Sequence, residues 1–334
     1  MNYFKLYACC IPVKGAKRSV ISDLQRNIVV FIPNILFELL TIYEKNSVAE
    51  IKSIFENQHN ETIDEYFAFL EKEELGFFTN EPNLFPNLDL TWKSPKQITN
   101  AIIDFDNQSN HKVKDLFEQL SELGTEAVQL RFYSQKSLAT LENILQQADL
   151  TGIQSLEIII PFSEELTIQV LKQFCAVIPR LCLIIIYGAT TDEEITLNSE
   201  IFIVFSSKTI ENHSFCGKIN PYNFSINIKT FTEAQQHNSC LNRKISIDVN
   251  GDIKNCPSLP QSFGNIAEVS LQNALLHKNF KDLWLINKDQ IEVCKDCEFR
   301  YICTDCRAFI TNPEDKYSKP SKCSYNPYIA EWEN

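Results

Sequence analysis

Residues 294–306 read Cys294-Lys-Asp-Cys297-Glu-Phe-Arg-Tyr-Ile-Cys303-Thr-Asp-Cys306, two Cys-x-x-Cys turns five residues apart. Each such turn aims two thiols at one point, and two turns this close serve one centre or interleave between two. Cys323 follows sixteen residues further on. Upstream, Cys240, ten residues, Gly251, four residues and Cys256 frame a second element. Its Asn250-Gly251 pair is a strong hairpin signal, and closing that hairpin brings Cys240 and Cys256 together. Seven of the twelve cysteines thus fall in the last 95 residues.

The metal these cysteines take depends on the compartment. Met1–Cys10 has one lysine and no long apolar run, so it does not read as a signal peptide. The longest apolar run, Leu181–Tyr187, spans seven residues, far below the ~18 of a membrane span. A cytoplasmic protein with no membrane partner is expected, and there paired cysteines bind metal or do redox chemistry. Four thiolates per centre suit structural zinc or an iron–sulfur cluster. Seven is one short of two complete sets.

Composition narrows the function. A chain of 334 residues, at ~150 per domain, makes two or three domains. The 31 basic against 43 acidic residues, a net charge of −12, argue against nucleic acid as a partner. There are eight glycines, no two closer than thirteen positions. ATP or NAD held in a glycine-rich phosphate cradle is thereby excluded.

Working toward the N-terminus, strands and helices alternate. Strands are expected at Ala101–Phe105, Val128–Tyr133, Leu156–Ile160, Leu181–Tyr187 and Ile201–Phe205. Helices are expected on Val113–Leu123, Leu138–Ala148 and Val170–Ile178, the last with Ser163 as N-cap. Apolar strands separated by amphipathic helices indicate a mostly parallel sheet, too short for a closed eight-stranded barrel. Cys175 and Cys182 are expected to be buried packing.

Residues 1–90 differ. Tyr3–Val13 and Arg18–Leu24 look extended and joined by a hairpin turn, and Ile28–Ile32 is a third strand. Helical spacing follows at Ile35–Tyr43 and Val48–Phe55, then a helix opened by a capping box at Thr62 and Glu65. This is a winged-helix-like pattern. Cys9 and Cys10, adjacent in a strand, should point to opposite faces and bind no ion together.

The cysteine order resembles the SPASM domain, which follows the barrel of radical-SAM peptide-modifying enzymes and holds two auxiliary [4Fe–4S] clusters. Phe263-Gly-Asn-Ile266, Phe280-Lys-Asp-Leu-Trp284 and the Cys294–Cys303 text fit it too. The family usually has three residues between its fifth and sixth cysteines; this chain has two, Thr304-Asp305. The resemblance implies one cluster on Cys294, Cys297, Cys303 and Cys323, and a second on Cys240, Cys256 and Cys306. Candidates for the second cluster's fourth ligand are Cys216 and His237.

The Cys-x3-Cys-x2-Cys motif that binds the SAM-cleaving cluster is missing. After the first barrel strand the sequence reads Asp106-Asn-Gln-Ser-Asn-His111, with no cysteine. Radical-SAM catalysis is therefore expected to be absent. With that loss, the chain is similar to the SPASM-containing component of grasp-with-spasm systems, which pair it with an ATP-grasp ligase and a precursor peptide.

The resemblance implies an α/β chain in three parts. These are a RiPP-recognition-element-like leader-binding domain at 1–90, a degenerate radical-SAM-like β/α domain (partial barrel or open sheet) at 95–235, and a SPASM domain at 236–334. The leader would add a strand beside Ile28, Val29, Val30, Phe31 and Ile32 and pack on Tyr66, Phe67 and Leu70 of the third helix. The implied role is a peptide maturation factor. The alternatives are a redox or Lewis-acid peptide-modifying enzyme using the clusters, and a zinc-stabilised scaffold.

Overall fold

The computed structural model describes residues 2–197 and 200–333. The chain forms two compact units. One joins Met1–Lys93 to Ile219–Ser239 and Leu285–Asn334; the other joins Ser94–Lys218 to Cys240–Trp284. The units interleave along the chain, so they do not follow the three consecutive segments expected from the sequence. Among the described residues, no helix is long and apolar enough to cross a membrane.

The first unit begins with β1 (Tyr3–Leu6), β2 (Cys10–Val13), β3 (Ser19–Asp23) and β4 (Ile28–Ile32). Helices α1 (Asn34–Thr41), α2 (Val48–Ile54) and α3 (Asn60–Lys72) follow, then β5 (Gly76–Thr79). The expected single extended stretch Tyr3–Val13 is broken at Tyr7–Cys9, where the Cys10 amide donates to Tyr7 O at 2.9 Å. As a result β1 pairs with β5, while β2 pairs with β3. Because Cys9 lies in that turn, strand alternation does not separate it from Cys10. The two sulfurs and an Asp23 carboxylate oxygen all lie within 4.8 Å of one another, correcting the expected geometry.

The capping box also falls elsewhere. Ser47 and Glu50 form it at the start of α2, whereas α3 starts at Asn60, ahead of Thr62. Ser47 Oγ accepts from the Glu50 amide at 3.3 Å, and Glu50 accepts from the Ser47 amide at 2.7 Å.

The sheet β2-β3-β4 is covered on both faces. Cys10, Ile21 and Ile32 face a core made with Leu36, Leu39, Ile63, Phe67 and Leu70. Val13, Val20 and Val29 face another made with Phe231, Phe299, Ile302 and Tyr325. Every residue of β3 is buried. The strand order leaves β4 at an edge.

The second unit runs β6 (Asn100–Phe105), α4 (Val113–Glu122), β7 (Ala127–Phe132), α5 (Leu138–Gln146), β8 (Ser155–Pro161), α6 (Ile168–Ala176), β9 (Leu181–Tyr187), β10 (Glu193–Leu197) and β11 (Ile201–Ser206). Thr167, not Ser163, caps α6. Strand β10 opens with two exposed glutamates, Glu193 and Glu194. Cys175 is buried, but Cys182 is only half-buried, with Ser155 Oγ 2.9 Å from its sulfur.

Chain segment α7 (Ile228–Gln236), which sequence periodicity did not reveal, returns to the first unit. Then β12 (Lys244–Ile247) and β13 (Ile253–Lys254) rejoin the second. The sheet order is β10-β11-β9-β8-β7-β6-β12-β13, with β12 parallel to β6. This pairing is why the Asn250-Gly251 hairpin belongs to the β/α unit. Gly251 has φ +87°, and a Cβ there would lie 3.1 Å from Ile266 Cγ1, so glycine is required twice over.

Strand alternation splits this sheet into two chemically different faces. Ala101, Ile103, Phe105, Val128, Leu130, Phe132, Leu156, Ile158 and Ile160 are buried apolar residues at alternating positions. The intervening positions carry Asp104 beside Arg131 and Gln129 beside Glu157, in parallel register. Arg131 Nε donates to Gln129 Oε1 at 2.5 Å, and Gln129 Nε2 donates to Glu157 at 2.7 Å. Tyr133 Oη donates to Asp104 Oδ2 at 2.9 Å. A parallel sheet covered on both sides is ordinarily apolar on both, so this polar row marks a face with a different task.

Burial raises the Asp104 carboxyl from 3.8 to about 6, against the opposing pull of Arg131 and the Tyr133 hydroxyl. A carboxyl whose folded pKa is raised binds its proton more tightly when folded, so stability falls as pH rises from about 4 to about 6. Asp104→Asn should remove that fall, which is worth up to about 3 kcal/mol for a shift of roughly two units. Urea melts of both proteins across this pH range check it; parallel pH profiles would contradict the assignment.

Candidate metal centre

Two groups of cysteines form, one in each unit. In the first unit Cys294, Cys297, Cys303 and Cys323 line one cavity together with Lys288, Phe299 and Tyr325. A single 3-10 turn presents the first pair, the Cys297 amide donating to Cys294 O at 3.0 Å. Val293, just before it, has φ +66°, a strained conformation for a β-branched residue. Such strain costs about 1–3 kcal/mol and persists only where the surroundings impose it.

The N-terminal hairpin packs against this turn. The Ala16 amide donates to Asp296 O at 2.8 Å, between the two cysteines of the turn. Arg18 Nε donates to Glu298 Oε1 at 2.9 Å, and Tyr325 Oη donates to the same oxygen at 2.5 Å. Glu298 is 1% exposed. Gly15 allows this approach, since a Cβ there would sit 2.9 Å from Glu298 Cβ.

The cavity holds a buried cation. Lys288 is 3% exposed and donates to Thr304 O at 3.2 Å. Burial alone would lower its pKa, but the Cys303 and Cys294 sulfurs and the Asp305 carboxylate outweigh it and raise it. Burial pushes the Cys294 thiol up to about 12 and also raises Cys297 and Cys303. Such thiols ionise only when something positive joins them, and a metal centre supplies that charge.

Spacing distinguishes the centres that fit. Four sulfurs around one zinc at ~2.3 Å stand about 3.8 Å apart. Among the described residues only Cys9, Cys10 and Asp23 bring three metal-ligating atoms within 4.8 Å of one another. That trio is no site: Asp23 is taken up by Arg26 Nε at 2.6 Å and by the Gln25 and Arg26 amides. Among the described residues, no three of the four cavity sulfurs lie within 4.8 Å of one another.

The second group lies in the β/α unit. The Cys240, Cys256 and Cys216 sulfurs outweigh burial and hold the Lys244 ammonium above the ordinary lysine value. Lys244 Nζ lies 3.6 Å from Cys240 Sγ, and Arg131 Nη2 lies 3.9 Å from Cys216 Sγ. Burial raises the Cys256 thiol to about 12. The arms of Cys216 and Cys256 are stapled together, with His213 Nδ1 3.2 Å from Ser258 Oγ and that hydroxyl donating to His213 O at 3.1 Å.

Of the two residues offered as a further ligand, Cys216 belongs to the same unit as Cys240 and Cys256. His237 belongs to the first unit, where its ring stands edge-on to Trp92 at 5.2 Å. Cys306 also belongs to the first unit, between Asp305 and Arg307, whose side chains pair at 3.0 Å.

Residues 239–298 match the family model of SPASM, an iron-sulfur cluster-binding domain. This span holds Cys240, Cys256, Cys294 and Cys297. No curated protein matches the chain. Among solved structures, it is similar to Streptococcus suis SuiB bound to S-adenosylmethionine, with 12% identity and a TM-score of 0.39 over 97% of this chain and 100% of that one. It is also similar to SuiB bound to precursor peptide SuiA, with 10% identity and a TM-score of 0.34 over 96% and 99%.

The sequence-derived peptide contacts separate in the structure. Ile28 and Phe31 of β4 are exposed, Val29 and Val30 half-buried, and Ile32 buried. On α3, Tyr66 is half-buried, whereas Phe67 and Leu70 are core residues, 2% and 0% exposed. The helix-period pattern that suggested a docking stripe is the stripe that packs inward. Phe69, 36% exposed, is the apolar side chain α3 leaves outside.

Two variants probe the first cavity. Cys303→Ala should lose the iron of one centre, whereas Cys175→Ala on α6 should keep the wild-type iron content. Gly15→Ala should lower stability by about 1–3 kcal/mol through overpacking and reduce iron uptake. Thermal melts and iron analysis after anaerobic reconstitution check both.

Proposed function

We propose that this protein is a cytoplasmic maturation factor for a ribosomally synthesised peptide. It captures the precursor's leader, works with an ATP-grasp ligase and carries two [4Fe–4S] clusters. The thiols of Cys294, Cys297, Cys303 and Cys323 hold one cluster; Cys240 and Cys256 belong to the other. When bound, such clusters supply electron transfer or a Lewis-acidic iron. The iron-sulfur description of the matched family favours this reading over a zinc scaffold.

The observation that carries the reading is the geometry of β4. Both faces of its sheet are covered, so a ligand can join only at the edge, by adding a strand. That edge belongs to the unit that holds the four-cysteine cavity. Phe31 lies under the Arg18 guanidinium at 3.8 Å, and Arg18 in turn holds Glu298 next to Cys297. A leader on β4 would therefore lie close to the cysteine cradle.

SAM cleavage is not part of the proposal. The loop after β6 carries no cysteine and folds on itself. Asp106 Oδ1 accepts from the Gln108 and Ser109 amides at 2.7 and 2.8 Å, and Ser109 Oγ donates to Val249 O at 2.7 Å. The redox-enzyme alternative draws on one observation, the cations that line the second sulfur group.

Hydrogen exchange of the anaerobically purified protein with the leader of a precursor encoded beside it tests the proposal. Protection should rise along β4, and Ile28→Asp should weaken leader binding at least tenfold with little loss of stability. Unchanged exchange along β4, together with a ligase reaction indifferent to this protein, would sink it.

A further inference from the structure

The second sulfur group is lined by two cations whose placement general packing does not explain. Arg131 is 4% exposed and sits beside Asp104 in parallel register, yet no ion pair joins the two among the described residues. Asp104 takes the Tyr133 hydroxyl on Oδ2, while its Oδ1 and Arg131 Nη1 are buried without a hydrogen-bond partner. The guanidinium turns instead toward sulfur, with Nη2 3.9 Å from Cys216 Sγ and its plane 5.1 Å from the Phe215 ring. Lys244 does the same from β12, its ammonium 3.6 Å from Cys240 Sγ. A buried guanidinium set beside a sulfur, with one of its nitrogens left without a hydrogen-bond partner, is placed to stabilise negative charge gathered there.

We propose that Cys216, Cys240 and Cys256 hold one iron–sulfur cluster in the β/α unit, and that Arg131 and Lys244 raise its reduction potential. The inference rests on the iron–sulfur reading above. Reduction adds one electron, and so one negative charge, to the cluster. Fixed cations close to its ligand sulfurs stabilise the reduced form more than the oxidised one, because net charge and hydrogen bonds to sulfur set these potentials. Arg131 and Lys244 are positioning residues that act through Cys216 and Cys240.

The test uses the full chain, reconstituted anaerobically with iron and sulfide and titrated with dithionite while electron paramagnetic resonance follows each cluster. Arg131→Gln and Lys244→Met should retain iron and make reduction of one cluster about tenfold less favourable, about 59 mV for one electron. The other midpoint should not move. Arg131→Lys, which keeps the charge, should recover most of the shift, and Cys216→Ser should alter the signal of the same cluster.

Unmoved midpoints at full iron content would overturn the proposal. So would a shift that Arg131→Lys fails to recover, iron loss in both Arg131 variants, or a Cys216→Ser protein identical to wild type. A wild-type protein that binds no iron and sulfide would overturn the cluster reading itself, and is told apart by metal analysis before any titration.

Discussion

The contact between Arg18 and Glu298 is the constraint on which the first unit depends. A carboxyl group 1% exposed needs hydrogen-bond partners within the protein. Glu298 has two, the Arg18 guanidinium and the Tyr325 hydroxyl, on one oxygen. Because Glu298 follows Cys297 directly, the pair locks the cysteine turn to a hairpin nearly three hundred residues away. Removing Arg18 takes away the only cation paired with Glu298 among the described residues, a larger loss than the pair itself is worth. The close approach at Gly15 brings the hairpin backbone against Glu298 itself.

Both sulfur groups follow the same electrostatic logic. Thiols buried away from water resist ionisation, and each group has cations set against it: Lys288 in the first, Lys244 and Arg131 in the second. Fixed positive charge lowers the cost of gathering thiolates. The polar row on the β6–β8 face contributes through Gln129, which orients the Arg131 guanidinium.

Much of the architecture was legible because periodicity reports burial. The βα alternation gave β6 to β9 and α4 to α6 within a few residues, since each strand or helix buries a local stripe. Local chemistry misled at Thr62–Glu65 and Ser163, where a valid cap pattern lost to Ser47–Glu50 and Thr167. Helix ends are chosen by which turn packs, and several cap sequences compete within a few residues. Phe67 and Leu70 show the converse limit: an apolar stripe reads the same whether it meets a ligand or its own core.

The linear pattern alone determined that seven cysteines gather in the last 95 residues at paired spacings, that a parallel sheet follows a small α+β module, and that the loop after β6 lacks thiols. Those facts are local, set by spacing along the chain. Tertiary structure decided that Cys216 shares a unit with Cys240 and Cys256, that the Asn250-Gly251 hairpin extends the β/α sheet, and that the N-terminal hairpin grips the Cys294 turn. Each of those depends on contacts between residues dozens to hundreds apart, which only the burial of whole faces against one another specifies.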